Sequence, residues 1–130
     1  MKLLVDTHLL VWQATGSRRL SPRAIELLDD QENELWFSVV SLWEVVIKSS
    51  LPRGEMNVDA KELRFGLQET GYSELTVGSK HVFEVGGLEP RHRDPFDRLM
   101  LAQARIEGMT LLTSDRDLLA YGYPTVNADR

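Results

Sequence analysis

Short apolar runs alternate along this chain of 130 residues with longer segments of helical periodicity. The apolar runs predict five strands, at Lys2–Val5, Leu35–Val40, Leu75–Val77, Thr110–Thr113 and Thr125–Ala128. Strands that alternate with helices in this way predict a parallel sheet covered by helices on both faces. We therefore expect an α/β fold, with one domain over residues 1–130 because no repeat or linker divides the chain.

Capping residues indicate where the helices begin. Ser21 precedes Pro22 at one helix start, and Asp94 precedes Pro95 at another. Ser41 with Glu44 has the form of a capping box, and Pro52–Gly54 is a chain breaker. The predicted helices are Thr7–Ala14, one from Pro22, Leu42–Ser49, Asp59–Thr70, Ser79–Val85, Pro95–Glu107 and Asp115–Tyr121.

Composition removes several classes of site. The chain has no cysteine, which excludes disulfide scaffolds, iron–sulfur centres and cysteine proteases. Its three histidines, His8, His81 and His92, show no ligand-like spacing, so we expect any metal ion to be held by oxygen. The formal charge of −5 argues against a generic nucleic-acid binder, which would present a basic surface.

Hydropathy gives no sign of a membrane protein. The longest apolar window, Leu35–Trp43, is far shorter than the roughly 20 residues of a bilayer span. The apolar run after Lys2 is also too short for the core of a signal peptide. We therefore expect a cytoplasmic protein.

Four acids lie at or near transitions from strand to helix, namely Asp6, Glu44, Asp97 and Asp115. Because the carboxyl ends of parallel strands share one edge of a sheet, these carboxylates can converge in one crevice. Ionised carboxylates repel one another unless protons or cations neutralise them, and oxygen ligands suit Mg²⁺ or Mn²⁺. The pattern therefore predicts a metal site.

Each of these acids alone also suits a helix N-terminus, where carboxylates cap free amides and complement the helix dipole. For Glu44, the capping box with Ser41 and metal ligation are both open interpretations. Asp94 is interpreted as a cap only. Asp6 and Asp115 each follow an apolar run directly or nearly so, and that shared position favours a common site.

Four segments in order resemble the PIN domain family, specifically the VapC-type toxin ribonucleases of bacterial toxin–antitoxin pairs. They are LLVDTHLLVW (Leu3–Trp12), SLWEVVIK (Ser41–Lys48), HRDPFDRLMLAQA (His92–Ala104) and LLTSDRDL (Leu111–Leu118). The resemblance spans nearly the whole chain, and four acidic motifs in one order are far more specific than any one of them.

The resemblance implies a three-layer domain with strand order 3-2-1-4-5 and an Mg²⁺-dependent endoribonuclease site, where Mn²⁺ can substitute. Asp6, Glu44, Asp97 and Asp115 match the family's acids, with Asp6 and Asp97 at the principal ligand positions. It also implies an RNA substrate, an antitoxin that blocks the site, and a homodimer.

Neighbouring residues are candidates for accessory roles. Thr113, Ser114 and Asp117 can orient a water or an acid beside Asp115. Basic side chains that flank Asp94 and Asp97 can contact RNA phosphates, namely Arg91, His92, Arg93 and Arg98. Trp12, Trp43 and Phe96 are expected in the core rather than on RNA bases.

Other enzyme classes fit less well. Asp6-Thr7-His8 lacks the second aspartate of a DxDxT phosphatase, and the chain has no GxxxxGK[ST] phosphate loop. A receiver domain would need an aspartate after the third strand, where Leu75–Ser79 offers none. The alternative from another class is a catalytically inactive PIN-like domain that acts by binding protein or RNA, with its acids serving as caps.

Overall fold

A single five-stranded parallel sheet is the centre of a computed structural model of the chain, which describes residues 1–52 and 56–130. The strands are β1 (Lys2–Val5), β2 (Glu34–Ser38), β3 (Ser73–Leu75), β4 (Thr110–Thr113) and β5 (Thr125–Asn127). Their order across the sheet is β3-β2-β1-β4-β5, and every neighbouring pair is parallel. The expected α/β fold and strand order are therefore confirmed.

Seven helices connect and flank the strands. They are α1 (Thr7–Thr15), α2 (Pro22–Asp29), α3 (Val39–Ser49), α4 (Ala60–Glu69), α5 (Ser79–Gly86), α6 (Pro95–Glu107) and α7 (Arg116–Leu119). Asp94 caps α6 and Gly108 ends it in the left-handed conformation, at a φ of 68°, as glycine permits. No helix in the described ranges is long and apolar enough to cross a membrane.

The two faces of the sheet carry two separate hydrophobic clusters. Because successive strand residues point to opposite faces, Leu3 and Val5 lie in one cluster and Leu4 lies in the other. The first cluster packs under α1, α2 and α4, and the second packs under α5 and α6. This gives three layers, with the carboxyl ends of the strands at one edge.

The start of α3 differs from the prediction. The strand β2 ends at Ser38 rather than Val40, and Ser38 caps the helix by accepting a hydrogen bond of 3.0 Å from the Val40 amide. Ser41 instead lies inside α3, where its hydroxyl contacts that of Thr7 at 2.8 Å. The predicted capping box of Ser41 and Glu44 is therefore wrong.

Other element boundaries shift by smaller amounts. The strand β3 lies two residues earlier than the predicted Leu75–Val77, and α7 is shorter than the predicted Asp115–Tyr121. The breaker predicted at Pro52–Gly54 falls, apart from Pro52, outside the described residues. Trp43 is 52% exposed, so its predicted place in the core is wrong.

Candidate metal centre

The four predicted acids come from four different elements. Asp6 directly follows β1, and Asp115 lies two residues after β4, its neighbour in the sheet. Glu44 projects from α3 and Asp97 from the first turn of α6. Burial leaves only 3% of Asp6, 1% of Glu44 and 7% of Asp97 exposed. The edge of the sheet thus gathers three buried acids and one partly exposed acid.

Asp6 and Glu44 do not serve as helix caps. Asp6 occupies the N-cap position of α1, yet its side chain makes no capping hydrogen bond. Glu44 lies in the middle of α3, because that helix begins at Val39. Among the described residues, Oδ1 of Asp6 and Oε1 of Glu44 are buried without a hydrogen-bond partner. Such buried polar atoms are costly unless a water or ion satisfies them.

Asp94 and Asp115, by contrast, both cap helices. Oδ1 of Asp94 accepts from the amides of Phe96 and Asp97, at 2.9 and 3.2 Å, which confirms the predicted cap. Oδ1 of Asp115 accepts from the amides of Asp117 and Leu118 at the start of α7. Capping uses only one oxygen of each carboxylate and fixes the direction of the other.

Crowding among the acids shifts their protonation. Burial raises the pKa of Asp97 to about 9, and the negative charges of Asp6, Asp94 and Glu44 add to that rise. Burial also raises the pKa of Asp6 to about 6. Without a cation, Asp97 and, at lower pH, Asp6 therefore hold protons that ordinary aspartates would have released, as expected for buried carboxylates near like charges.

His92 adds a nitrogen atom to this group of acids. Its Nε2 lies 2.8 Å from Oδ2 of Asp97 and 3.8 Å from Oδ2 of Asp115. The spacing of the histidines in the sequence predicts that oxygen atoms alone would hold a metal ion. That prediction is too narrow, because His92, Asp97 and Asp115 can together hold a metal ion. The HRDPFDR segment was the available signal, since it carries His92 and Asp97 together.

Lys48 is a second residue that the sequence analysis did not assign to the site. Its Nζ donates to Oε2 of Glu44 at 2.5 Å, one turn along α3. Burial lowers the pKa of Lys48, but the hydrogen bond and charge of Glu44 outweigh this effect, so the net shift is upward. The spacing of four residues between Glu44 and Lys48 was the signal in the sequence.

Thr113 connects two of the acids. Its buried hydroxyl donates to Oδ2 of Asp6 at 2.7 Å and accepts from the amide of Asp115 at 3.0 Å. Ser114 is half-buried, whereas Asp117 is exposed and takes part in the capping of α7 through its amide. The position of the two aspartates favours Asp115 over Asp117 as the acid of this site.

The basic residues predicted beside the site fall into two groups. Arg98 directs its guanidinium to backbone carbonyls of Val85, Glu89 and His92, and so holds the loop that carries His92. Arg91 and Arg93 are exposed. Their side chains can meet a ligand at the surface, whereas the donors of Arg98 are already engaged.

This set of ligand atoms suits a divalent cation that prefers oxygen. Glu44, Asp94 and Asp97 each offer an oxygen within 4.8 Å of the others, as do Asp97, Asp115 and the nitrogen of His92. Opposite oxygens around Mg²⁺ lie about 4.2 Å apart, so one ion can span either group. Asp6, which the resemblance places at a principal ligand position, belongs to neither group, although its buried Oδ1 lacks a hydrogen-bond partner, as does Oε1 of Glu44.

Comparisons with known proteins agree with this fold. Three solved structures each align with 98% of this chain, over 98% of their own chain. A toxin–antitoxin complex from Klebsiella pneumoniae is 19% identical with a TM-score of 0.67, and VapBC2 from Rickettsia felis bound to a promoter DNA fragment is 20% identical with a TM-score of 0.67. DNA-bound VapBC from Salmonella typhimurium is 13% identical with a TM-score of 0.70. At these identities, the likeness concerns the fold alone. No curated protein matches the sequence.

The family assignment comes from the sequence itself. A PIN domain family profile matches residues 3–122, which include all four acids and nearly all of the span from β1 to α7. The strand order and the acids at the carboxyl edge of the sheet agree with that match. The chain therefore belongs to the PIN domain family.

Proposed function

We propose that this protein is a metal-dependent endoribonuclease and the toxin of a toxin–antitoxin pair. The observation that carries the proposal is the pair of unpartnered carboxylate oxygens, Oδ1 of Asp6 and Oε1 of Glu44, buried among further acids. A cap or a packing role would leave neither oxygen without a partner. A bound divalent cation would satisfy both and would relieve the repulsion among the carboxylates.

Asp6, Glu44, Asp97 and Asp115 would hold Mg²⁺, for which Mn²⁺ can substitute because both ions prefer oxygen ligands. When bound, the ion supplies activation of a water and stabilisation of the charge that develops on a scissile RNA phosphate. Thr113 fixes Oδ2 of Asp6, and so directs Oδ1 of the same carboxylate. The buried walls around Asp6 and Glu44 lower the local dielectric, which strengthens every interaction with charge there.

RNA would approach from the exposed side of Asp115. Arg91 and Arg93 are exposed on the loop that leads into α6, where they can contact RNA phosphates. Arg98 is left out of this role, because its guanidinium is engaged with the carbonyls of that loop. Ser114 and Asp117 remain candidates for orienting a water.

The partner is proposed from the solved structures of similar fold. One of them is a toxin–antitoxin complex, and the other two are VapBC assemblies bound to DNA. By that likeness, we propose that this chain binds an antitoxin. From the resemblance to the VapC-type toxins, we propose further that the antitoxin covers the acids, that the toxin is a homodimer, and that it acts in the cytoplasm.

Cleavage assays with purified, antitoxin-free protein test the proposal. A panel of single-stranded RNAs and tRNAs is incubated with Mg²⁺ or with EDTA, using the natural chain, Asp6→Asn and Asp29→Asn. Asp29→Asn is the matched control, since it removes the same charge from an exposed position at the end of α2 that has no role in the site. We expect cleavage that requires Mg²⁺, is lost in Asp6→Asn and persists in Asp29→Asn.

Thermal unfolding separates the alternatives if no RNA is cut. A melting temperature raised by Mg²⁺ in the natural chain, but not in Asp6→Asn, would support the metal site and indicate that the panel lacks the target. No cleavage together with no effect of Mg²⁺ would instead favour an inactive PIN-like domain that acts by binding.

A further inference from the structure

Two places for a cation lie next to each other at the site. Glu44, Asp94 and Asp97 form one group of possible ligands, and His92, Asp97 and Asp115 form the other. Within each group, the ligand atoms lie within 4.8 Å of one another, and Asp97 belongs to both. Two ions about 3.5–4 Å apart that share a carboxylate are a known arrangement in nucleases. The acids alone would therefore accommodate either one or two ions.

Lys48 already brings a positive charge to the first of these places. Its Nζ lies 2.5 Å from Oε2 of Glu44, and only 20% of its side chain is exposed. The charges of Asp94 and Asp97 act on Lys48 as well, so the ammonium interacts with every acid of that group. A divalent ion bound there would have to displace the ammonium from Glu44 or tolerate its repulsion.

The charges of the buried groups favour a single ion. Asp6, Glu44 and Asp97 are the acids of the site that are more than nine-tenths buried, and together they carry three negative charges when ionised. One divalent ion and the ammonium of Lys48 supply three positive charges. A second divalent ion would bring the positive charges to five, which the acids balance only if the less buried Asp94 and Asp115 are ionised as well.

We propose that the ammonium of Lys48 takes the place of a second divalent cation, so that this chain binds one metal ion per site. The inference rests on the metal centre of the proposed function and specifies its stoichiometry. Lys48 acts here as a positioning residue, because its ammonium fixes Oε2 of Glu44.

Direct titration with Mn²⁺ tests this inference without reference to cleavage. Ion-free protein is titrated while the electron paramagnetic resonance signal of free Mn²⁺ is recorded, which counts the ions bound per chain. We expect one ion in the natural chain and in Lys48→Arg, which keeps the charge. We expect two ions in Lys48→Met and in the neutral, polar Lys48→Gln, with the spectral broadening of two neighbouring Mn²⁺ ions.

Lys80→Met is the matched control. Lys80 pairs with Glu107, ten residues after Asp97 on α6, which places it about 15 Å along the helix from the acids. This variant removes the same charge and should still bind one ion. Circular dichroism confirms that each variant is folded, and Lys48→Gln replaces Lys48→Met if the latter is unfolded.

The outcomes distinguish this inference from the proposed function. Two ions in the natural chain, or one ion in both neutral variants, would overturn the role of Lys48 and leave the metal centre in place. No bound Mn²⁺ in the natural chain would overturn the metal centre and this inference with it.

Discussion

The hydroxyl of Thr113 donates a hydrogen bond of 2.7 Å to Oδ2 of Asp6, across the neighbouring strands β4 and β1. The same hydroxyl accepts a hydrogen bond from the amide of Asp115. One short side chain therefore fixes the acid that follows β1 relative to the acid that follows β4. Both hydrogen bonds are buried or nearly so, which makes them strong relative to exposed ones.

Replacing Thr113 by valine keeps the shape of the side chain and removes its hydrogen bonds. We expect Thr113→Val to lower the unfolding free energy by about 1–3 kcal/mol, because Oδ2 of Asp6 and the Asp115 amide are left without a buried partner. Its affinity for Mn²⁺ should fall, since Asp6 is no longer held. Urea unfolding and Mn²⁺ titration measure the two effects. Thr113→Ser, which keeps the hydroxyl, should retain most of both properties, and equal losses in the two variants would contradict this role.

The elevated pKa of Asp97 predicts how stability changes with pH in the absence of metal. Its pKa rises from the ordinary aspartate value of 3.8 to about 9 in the folded chain, mainly through burial. Between these values, the folded chain keeps a proton that the unfolded chain has released. The contribution of Asp97 to the free energy of unfolding should therefore be largest at low pH and should fall as the pH rises towards 9.

Urea unfolding in EDTA between pH 5 and 9 measures this dependence. Asp97→Asn mimics the protonated acid, so its stability should change less with pH than that of the natural chain. Adding Mn²⁺ should stabilise the natural chain most at the higher pH values, because the ion replaces the proton. A natural chain whose stability increases across this range in EDTA would contradict the prediction.

Arg98 is predicted to act on stability rather than on RNA. Its guanidinium bridges the carbonyl of Val85 near the end of α5 to those of Glu89 and His92 on the segment between α5 and α6. Arg98→Met should lower the unfolding free energy by about 1–3 kcal/mol, because several carbonyls are deprived of their donor. Arg93→Met, at an exposed position, should change it by no more than about 0.5 kcal/mol. Equal unfolding free energies for the two variants would rule out the bridging role.

Arg91 and Arg93 are predicted to act on RNA rather than on stability. In an Asp6→Asn background, which prevents cleavage, fluorescence anisotropy reports the binding of a labelled single-stranded RNA at several salt concentrations. Replacing both arginines by glutamine should weaken binding and reduce the slope of log affinity against log salt by about 0.7 for each phosphate no longer neutralised. Unchanged affinity and an unchanged salt slope would remove the loop from the RNA-binding surface.

Local sequence signals were sufficient for most of the fold. Alternation of apolar runs and amphipathic segments predicts the parallel sheet, and the bounds of β1, β4 and α6 agree with the prediction. At the start of α3, the apolar residues Val39 and Val40 continue the run of β2, so the pattern could not reveal that the chain turns at Ser38. The cap there depends on one hydroxyl, which the sequence also offers at Ser41.

The candidate site was predictable only in part. Asp6 and Asp115 follow apolar strands, so their meeting at one edge follows from the rules of parallel sheets. The roles of Lys48 and His92 depend instead on three-dimensional packing, because each contacts an acid through a particular side-chain direction. The exposure of Trp43 has the same origin, since it depends on which side of α3 faces the sheet.

The acids are distributed over most of the chain, from Asp6 after the first strand to Asp115 after the fourth, and β4 inserts between β1 and β5. During synthesis from the N-terminus, β1 therefore remains an open edge until nearly all of the strands have been made. No nascent fragment that ends before β4 can bring Asp115 to Asp6. The full set of acids can thus assemble only after β4 has been made, and a single proteolytic cut between Glu44 and Asp97 would place its ligands on two separate peptides.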